Sequence, residues 1–425
     1  MSSGGTPGHG PGARSEPAAR AGSEGGPPLT YLDHAASAPM RPEVVEAMAP
    51  FADRLYAHAS GSHRPARRAR QALEDARDQV AQLLGARPQE IVFTSGGTEA
   101  DNLAVLGVLR AAIARRDRGP AAGAGSPDRP APVVAVSSGV EHAAVLEPCR
   151  HAAARLPGVV HQPVGVDTQG AVDLDRLASA LDDDVVLVSV MLANNEVGTI
   201  QPLAQVVSLV RRLAPRGVVH TDAVQAAAWL DVAEAAAGAD LVSVSAHKLG
   251  GPKGAGALVV REGTELEPLL FGGGQERERR AGTHHVAGAV GLAPALAAVR
   301  ATREEESARV RALRDHLADG ILAAVPVATE TADRKGVLPG HCHLCFAGIE
   351  REELVVLLDQ AGVCVSAGAA CASGALEPSH VLAAMGIPAA DARGAIRFSL
   401  GHTSTPADVE RALAVVPEAV ARLRG

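Results

Sequence analysis

The chain has 425 residues, of which 47% are hydrophobic and 21% charged, and its formal net charge is −8. This balance is typical of a globular protein with room for two or three domains. The negative charge argues against direct nucleic-acid binding and against a membrane surface. The longest apolar runs, such as residues 185–193, are too short to span a bilayer.

The N-terminal 28 residues are rich in Gly and Pro and contain no apolar core of a signal peptide. We predict that residues 1–28 form a disordered tail. The five cysteines are an odd number in a chain without an export signal. They therefore indicate free thiols and a cytoplasmic location.

Apolar strands alternate with helices along most of the chain. Residues 67–84 have the spacing of a helix, and residues 90–94 predict a strand before a Gly-rich turn and a second helix. Further segments follow the same alternation, with a helix at 202–214 and strands at 133–137, 185–192, 218–222, 241–246 and 256–260. Such alternation is typical of an α/β fold with a mostly parallel sheet covered by helices on both faces.

A different pattern follows a long helix that we predict from about 286 to 324. Short strands within 342–349, 364–368 and 395–400 indicate a second domain of α+β type. We therefore place a large α/β domain at 46–298. The small domain is expected to combine residues 29–45 with 299–425.

Three strand ends carry groups that suit one cofactor. The segment TSGGTEADN (94–102) joins a strand, a Gly-rich turn and a helix start, where backbone N–H groups bind anions. Asp222 ends an apolar strand, where open α/β sheets bind ligands, although an Asp there can also cap a helix. Lys248 follows the next strand. Pyridoxal phosphate needs a carboxylate beside its protonated ring nitrogen, a lysine that forms a Schiff base and a phosphate site. The three groups together therefore indicate this cofactor.

Lysine is rare in this chain, which draws attention to Lys248. Lysine occurs at only three positions, and two of these, 248 and 253, lie in one Gly-rich stretch. Lys can form a Schiff base and Arg cannot. The alternative is a chance cluster on a surface turn.

Two more side chains are candidates for the same site. His142 follows a strand and is placed to move protons over a cofactor ring, whereas a lone His more often caps a helix. Arg397 alternates with Ile396 and Phe398, so it points away from the face on which they pack. It suits a substrate carboxylate, with a structural salt bridge as the alternative.

The segment HCHLC (341–345) has the composition of a zinc site but the alternation of a strand. In a strand Cys342 and Cys345 point to opposite faces, and no second pair of ligands occurs at zinc-finger spacing. We therefore predict no metal site there. Cys149 and Cys364 are expected to be core or near-core thiols.

Nine segments carry a resemblance to a known family: YLDHAA, TSGGTEADNLA, EHAAVL, NNEVGTIQP, HTDAVQ, SAHKLGGPKGAGAL, GGGQERERRAGT, AGAACASGALEPSHVL and RFSLG. They resemble the cysteine desulfurases of the NifS/IscS type, in the class V aminotransferase group of fold-type I pyridoxal phosphate enzymes. They occur in family order from about residue 30 to the C-terminus. The resemblance implies a large domain with a mostly parallel seven-stranded sheet and a smaller α+β domain.

The resemblance also implies a role for each site residue. Lys248 binds the cofactor covalently, Asp222 pairs with its ring nitrogen, and His142 stacks on the ring as an acid and base. The remaining cofactor contacts come from Gly97, Thr98, Ser245 and His247 at the phosphate, Thr283 of the partner subunit, and Gln225 at the ring hydroxyl. The substrate carboxylate is held by Asn195 and Arg397, and Cys371 is the nucleophile.

The activity that the resemblance implies is the conversion of L-cysteine to L-alanine. The thiolate of Cys371 attacks the substrate sulfur, and the resulting persulfide passes to an acceptor. The family is homodimeric, and its acceptors include iron–sulfur cluster scaffolds and tRNA-thiolation enzymes. Ala370, Ala372 and His58 depart from the residues common in the family. A selenocysteine lyase, a class V aminotransferase and a non-catalytic scaffold protein are the alternatives.

Overall fold

The computed structural model describes residues 29–118, 132–368 and 379–425. The predicted tail and Cys371 lie outside the described residues. The described strands are β1 Thr30–Tyr31, β2 Ile91–Thr94, β3 Val133–Ser138, β4 Val159–Val164, β5 Val185–Ser189, β6 Val218–Asp222, β7 Leu241–Ser245, β8 Gly256–Val260, β9 Ala328–Glu330, β10 His341–Phe346, β11 Val363–Cys364 and β12 Ala395–Ser399.

Helices separate most of these strands, as the sequence alternation predicts. They are α1 Pro42–Met48, α2 Pro50–Asp53, α3 Arg64–Leu83, α4 Gly97–Arg118, α5 Ala143–Arg155, α6 Leu174–Ser179, α7 Leu203–Leu213, α8 Val232–Ala235, α9 Val286–Ala324, α10 Arg351–Gln360, α11 His380–Ala384, α12 Ala389–Ala392 and α13 Pro406–Arg424. No helix in these three ranges is long and apolar enough to cross a membrane.

Seven strands form one sheet in the order β2-β8-β7-β6-β5-β3-β4. Strand β8 runs antiparallel to both of its neighbours, and the other pairs are parallel. Side chains alternate between two apolar layers: Leu187 packs against α4 and α5, and Val188 against the layer with α3 and α7. The expected mostly parallel seven-stranded sheet with helices on both faces is confirmed.

A smaller sheet, β12-β10-β9, is antiparallel, and β1 pairs with β11 beside it. Its core is separate from that of the large sheet. Along α9, residues up to Val299 pack on the large sheet, whereas residues from Val310 onward pack in the smaller core. The predicted boundary after residue 298 lies just before Val299, which still packs on the large sheet, and the division into domains stays a prediction.

The structure differs from the expected elements at several places, including β4, α3 and β5. Strand β4 was not expected, because an edge strand with exposed central residues and Pro163 lacks the apolar run of a buried strand. Helix α3 begins three residues before the expected start, with His63 as its cap. Strand β5 ends at Ser189, after which single backbone hydrogen bonds from Val190 and Leu192 continue towards β6.

The segment HCHLC forms most of strand β10. Cys342 packs in the core of the smaller sheet, whereas Cys345 packs on its other side with Val381 and Met385. The prediction that these two thiols face opposite ways is therefore confirmed. Among the residues that the structure describes, no group of three or more His, Cys, Asp or Glu side chains is arranged to hold a metal.

Candidate active site

The first feature of the site is an anion cradle where β2 ends and α4 begins. A cavity of about 350 Å³ lies over the first turn of α4. Backbone N–H groups in the first turn of a helix have no intrahelical partner and attract anions. Four of the residues expected to bind phosphate line this cavity: Gly97, Thr98, Ser245 and His247.

Glycines let the backbone approach closely around this cradle. A Cβ atom on Gly97 would lie 2.7 Å from Cγ2 of Val224, and Gly96 has a φ of +149°. A Cβ on Gly256 would lie 2.8 Å from Cα of Gly96, so β8 and the turn pack backbone against backbone. The residues present therefore fit a phosphate group held by main-chain N–H groups.

Lys248 ends a short helical turn that follows β7. Its Nζ donates to the carbonyl oxygens of Ala35 (2.5 Å) and Ala36 (2.9 Å). The amide of Gln225 donates to the same Ala35 oxygen at 2.7 Å. The segment 35–36 thus holds together the expected Schiff-base lysine and the residue expected at the ring hydroxyl.

Asp222 ends β6 as a buried carboxyl group. It accepts a hydrogen bond from the backbone N–H of Val224 at 2.8 Å, within the turn after β6. The short helical turn that follows, Ala226–Ala228, has Gln225 at its N-cap, so Asp222 does not take the helix-capping role that the sequence left open. Burial raises the pKa of Asp222 well above its usual value, and the nearby carboxylate of Asp101 raises it further. The nearby His142 lowers this pKa. Such a carboxyl group is suited to a protonated ring nitrogen.

His142 is the N-cap of α5, the alternative that the sequence left open. Its Nδ1 accepts a hydrogen bond from the backbone N–H of Ala144 at 3.1 Å. An accepting Nδ1 places the proton of the neutral ring on Nε2. The half-buried ring therefore has a fixed tautomer, and its expected part in proton transfer stays a prediction.

Arg397 lies in β12 with a side chain that is only 3% exposed. Ile396 and Phe398 pack in the smaller core, so the predicted direction of Arg397 is confirmed. Its Nη1 donates to the carbonyl oxygen of Asn195 at 2.8 Å, and its Nη2 donates to Oδ1 of Asp33 at 2.8 Å. The salt bridge that the sequence left open is thus present, while Nε is buried without a hydrogen-bond partner.

Cys371 belongs to the segment 369–378. The residues just before and after this segment, Gly368 and Ser379, both lie near the side chain of Glu196. Ser379 donates its hydroxyl hydrogen to Oε2 of Glu196 at 2.6 Å. Gly368 has a φ of +80°, and a Cβ built on it would lie 3.4 Å from the same oxygen. The buried Glu196, next to Asn195 in the chain, therefore binds Ser379 on one side of the segment and lies near Gly368 on the other. In the sequence, the NNEVGTIQP motif, which contains Glu196, is the signal that could have pointed to this residue.

Thr283 is placed differently from the other expected phosphate ligands. It is exposed and lines a neighbouring cavity of about 70 Å³ with Arg280 and with Ser95, which also lines the phosphate cavity. It follows a turn in which three successive residues, Glu276, Arg277 and Glu278, have left-handed φ values of 44°, 56° and 63°. Non-glycine residues adopt this conformation only when their surroundings stabilise it.

The turn is held by a buried ion pair that the sequence did not reveal. Both Nη atoms of Arg77 contact the carboxylate of Glu276, at 2.7 and 2.8 Å, and the two side chains are 3% and 2% exposed. Phe93 N and His284 Nε2 contact the same carboxylate, each at 2.9 Å. Burial alone would raise the pKa of Glu276, but the hydrogen bonds from Arg77 and His284 lower it to about 2.

Glu276→Ala is expected to lower the free energy of unfolding by about 3 to 5 kcal/mol, because it leaves the buried Arg77 without its partner. The matched control is Glu74→Ala, which removes a 47% exposed carboxylate at 3.1 Å from the same guanidinium and is expected to cost less than about 1 kcal/mol. Urea unfolding measures both. Equal losses in the two variants would contradict this account.

Comparisons with known proteins agree with this geometry. The profile of the class-V aminotransferase family matches residues 30–412. The IscS-like cysteine desulfurase of Mycobacterium tuberculosis (strain ATCC 25618 / H37Rv) is 46% identical over 404 residues, which cover 93% of this chain and 97% of that protein.

Solved structures extend the likeness to three dimensions. A NifS-like protein superposes with a TM-score of 0.82 at 33% identity, covering 93% of this chain and 100% of the other. A structure described as SspA in complex with cysteine has a TM-score of 0.71 at 30% identity and covers 87% and 98%. The chain therefore belongs to the class-V aminotransferase family of pyridoxal phosphate enzymes and, within it, to the cysteine desulfurases of the IscS and NifS type.

Proposed function

We propose that this protein is a cysteine desulfurase that converts L-cysteine to L-alanine and holds the sulfur as a persulfide on Cys371. The observation that supports this most is the segment 33–36. Its carbonyl oxygens accept from Lys248, and its Asp33 binds Arg397. The groups expected to receive the amine and the carboxylate of one α-amino acid are therefore adjacent to a single four-residue segment.

Pyridoxal phosphate, when bound at Lys248, supplies an electron sink that weakens the bonds to the substrate's α-carbon. The cradle at the start of α4 holds its phosphate, with Gly97, Thr98, Ser245 and His247 around it. Asp222 would hold a protonated ring nitrogen, and Gln225 would meet the ring hydroxyl. These assignments rest on the cavity, the strand ends and the resemblance together.

The chain's own residues then have distinct tasks. Arg397 and Asn195 orient the substrate carboxylate, and the amine of Lys248 and the ring of His142 move protons. The thiolate of Cys371 attacks the substrate sulfur, so that an S–S bond forms as the substrate C–S bond breaks. The electron pair of the C–S bond stays with the carbon, which takes up a proton to become the methyl group of alanine.

The experiment that tests this proposal incubates the purified, cofactor-loaded protein with L-cysteine and a thiol reductant. We expect L-alanine and sulfide in equal amounts, with no requirement for a keto acid. A selenocysteine lyase would instead release selenide from L-selenocysteine with little turnover of L-cysteine, and an aminotransferase would transfer the amine to a keto acid. A colourless protein that makes no alanine would contradict the proposal in favour of a scaffold.

The partners belong to the same proposal. We infer a homodimer in which Thr283 of each chain reaches the phosphate of the other. In support, Thr283 is exposed, lies outside the cradle of its own chain, and follows Phe271, which is 80% exposed. The sulfur acceptor is a second protein, such as an iron–sulfur scaffold or a tRNA-thiolation enzyme. The free thiols of Cys149, Cys342 and Cys345 favour a reducing cytoplasm.

A further inference from the structure

The guanidinium of Arg397 is already bound to a carboxylate of its own chain. Arg397 and Asp33 are 3% and 20% exposed, and Nη2 lies 2.8 Å from Oδ1. A buried cation without a partner is costly, so Asp33 stabilises Arg397 when no substrate is present. We propose that Asp33 occupies the carboxylate site until the α-carboxylate of an amino acid displaces it, an inference that rests on the proposed role of Arg397.

Displacement is favoured over simultaneous binding by the charges at this site. Nη1 already donates to the carbonyl oxygen of Asn195. A substrate carboxylate that also bound Arg397 would place two like charges beside one cation, and like charges at this range repel. The Asp33 side chain is 20% exposed, so it can turn towards water and be hydrated there.

The backbone at Asp33 is fixed, which confines the exchange to its side chain. His34 N donates to the carbonyl oxygen of Ser399, and Ser399 N donates to that of Leu32, at 3.1 and 2.7 Å. The hydroxyl of Tyr31 donates to the carbonyl oxygen of Asp33 at 3.1 Å. Rotation of the Asp33 side chain therefore leaves the carbonyl oxygens around Lys248 in place.

Competition of this kind affects only ligands that carry a carboxylate. An amino acid must displace Asp33 from Arg397, and it replaces one ion pair by another. An amine without a carboxylate does not compete for Arg397. The Asp33–Arg397 pair therefore stays intact and does not affect the affinity for that amine. Asp33 thus lowers the affinity for amino acids without changing the affinity for simple amines.

The test compares L-alanine with ethylamine, which is the same molecule without its carboxylate. Each is titrated into cofactor-loaded wild type and Asp33→Asn, and the absorbance of the lysine-bound cofactor reports binding. In Asp33→Asn we expect the dissociation constant of L-alanine to fall about three- to ten-fold, the scale of one partly buried ion pair. The constant for ethylamine should not change.

Two further variants serve as controls. Asp33→Glu keeps the charge and should restore an L-alanine constant within about two-fold of wild type. Asp240→Asn alters a remote ion pair of the same length, 2.8 Å, and similar exposure, 24%, and should change neither constant. Thermal unfolding of all variants checks that the fold is intact.

The outcomes separate this inference from the proposed function. An L-alanine constant that is unchanged or raised in Asp33→Asn overturns the inference, as does a constant for Asp33→Glu that matches Asp33→Asn. If Asp33→Asn does not fold, Asp33→Glu is compared with wild type instead. A dissociation constant of L-alanine that differs from the wild-type value by more than about two-fold then overturns the inference. If L-alanine binds no more tightly than ethylamine even in Asp33→Asn, where no carboxylate competes for Arg397, the carboxylate role of Arg397 fails as well.

Discussion

Lys248→Ala is expected to remove both the visible absorbance of the bound cofactor and the release of L-alanine from L-cysteine. Alanine has no amine to bond to the cofactor or to move protons, so we expect turnover to fall by more than about 1,000-fold. Absorbance spectra and an alanine assay measure the two effects. Lys248→Arg keeps the positive charge but cannot form a Schiff base, and it should lose both as well.

Lys253→Ala is the matched control for this prediction. Lys253 is the other lysine of the Gly-rich stretch and lines the phosphate cavity. A change there is expected to weaken retention of the cofactor while leaving the colour of the loaded enzyme. Unchanged absorbance and turnover in Lys248→Ala would refute the assignment of Lys248.

Cys371→Ser is expected to keep the full visible absorbance of the cofactor but to release no sulfide. The hydroxyl group is not ionised near neutral pH and is a poor nucleophile towards sulfur, whereas a thiolate is a strong one. We expect L-alanine formation to fall by more than about 100-fold. Mass spectrometry after incubation with L-cysteine should find one added sulfur atom on the wild type and none on the variant.

Cys364→Ser tests whether this effect belongs to Cys371 alone. Burial raises the pKa of the half-buried Cys364 thiol, and the carboxylates of Asp359 and Asp33 raise it further. A thiol of this kind is rarely ionised and should not accept sulfur. Normal turnover in Cys371→Ser, or its loss in Cys364→Ser, would contradict the assignment.

Local patterns were sufficient to predict the main sheet and several site residues. Strands such as β6 and β8 are short apolar runs between turn residues, and the expected limits of both are those of the structure. Asp222 was found because it ends such a strand, and Lys248 because it lies shortly after the next one. Strand β4 was not predicted, because a strand at a sheet edge pairs with only one neighbour and needs no apolar pattern to do so.

Contacts between distant parts of the chain had no local signal. Asp33 and Arg397 are separated by 364 positions, and Arg77 and Glu276 by 199. The pattern around Arg397 allowed a salt bridge but did not name Asp33 as its partner, and Arg77 and Glu276 look like ordinary surface charges in the sequence. The left-handed turn at 276–278 was equally hidden, since it contains no glycine and its conformation depends on the buried carboxylate of Glu276.

In the proposed reaction, the place of Gly368 near Glu196 limits how far Cys371 can carry sulfur. Cys371 is three residues from Gly368, and a fully extended chain spans at most about 3.6 Å per residue. The Cα atom of Cys371 therefore stays within about 11 Å of that of Gly368, whatever path residues 369–378 follow. A protein that takes the sulfur in this proposed reaction must therefore come within this distance of Gly368 plus the length of the persulfide side chain. We thus expect the acceptor to bind close to Gly368.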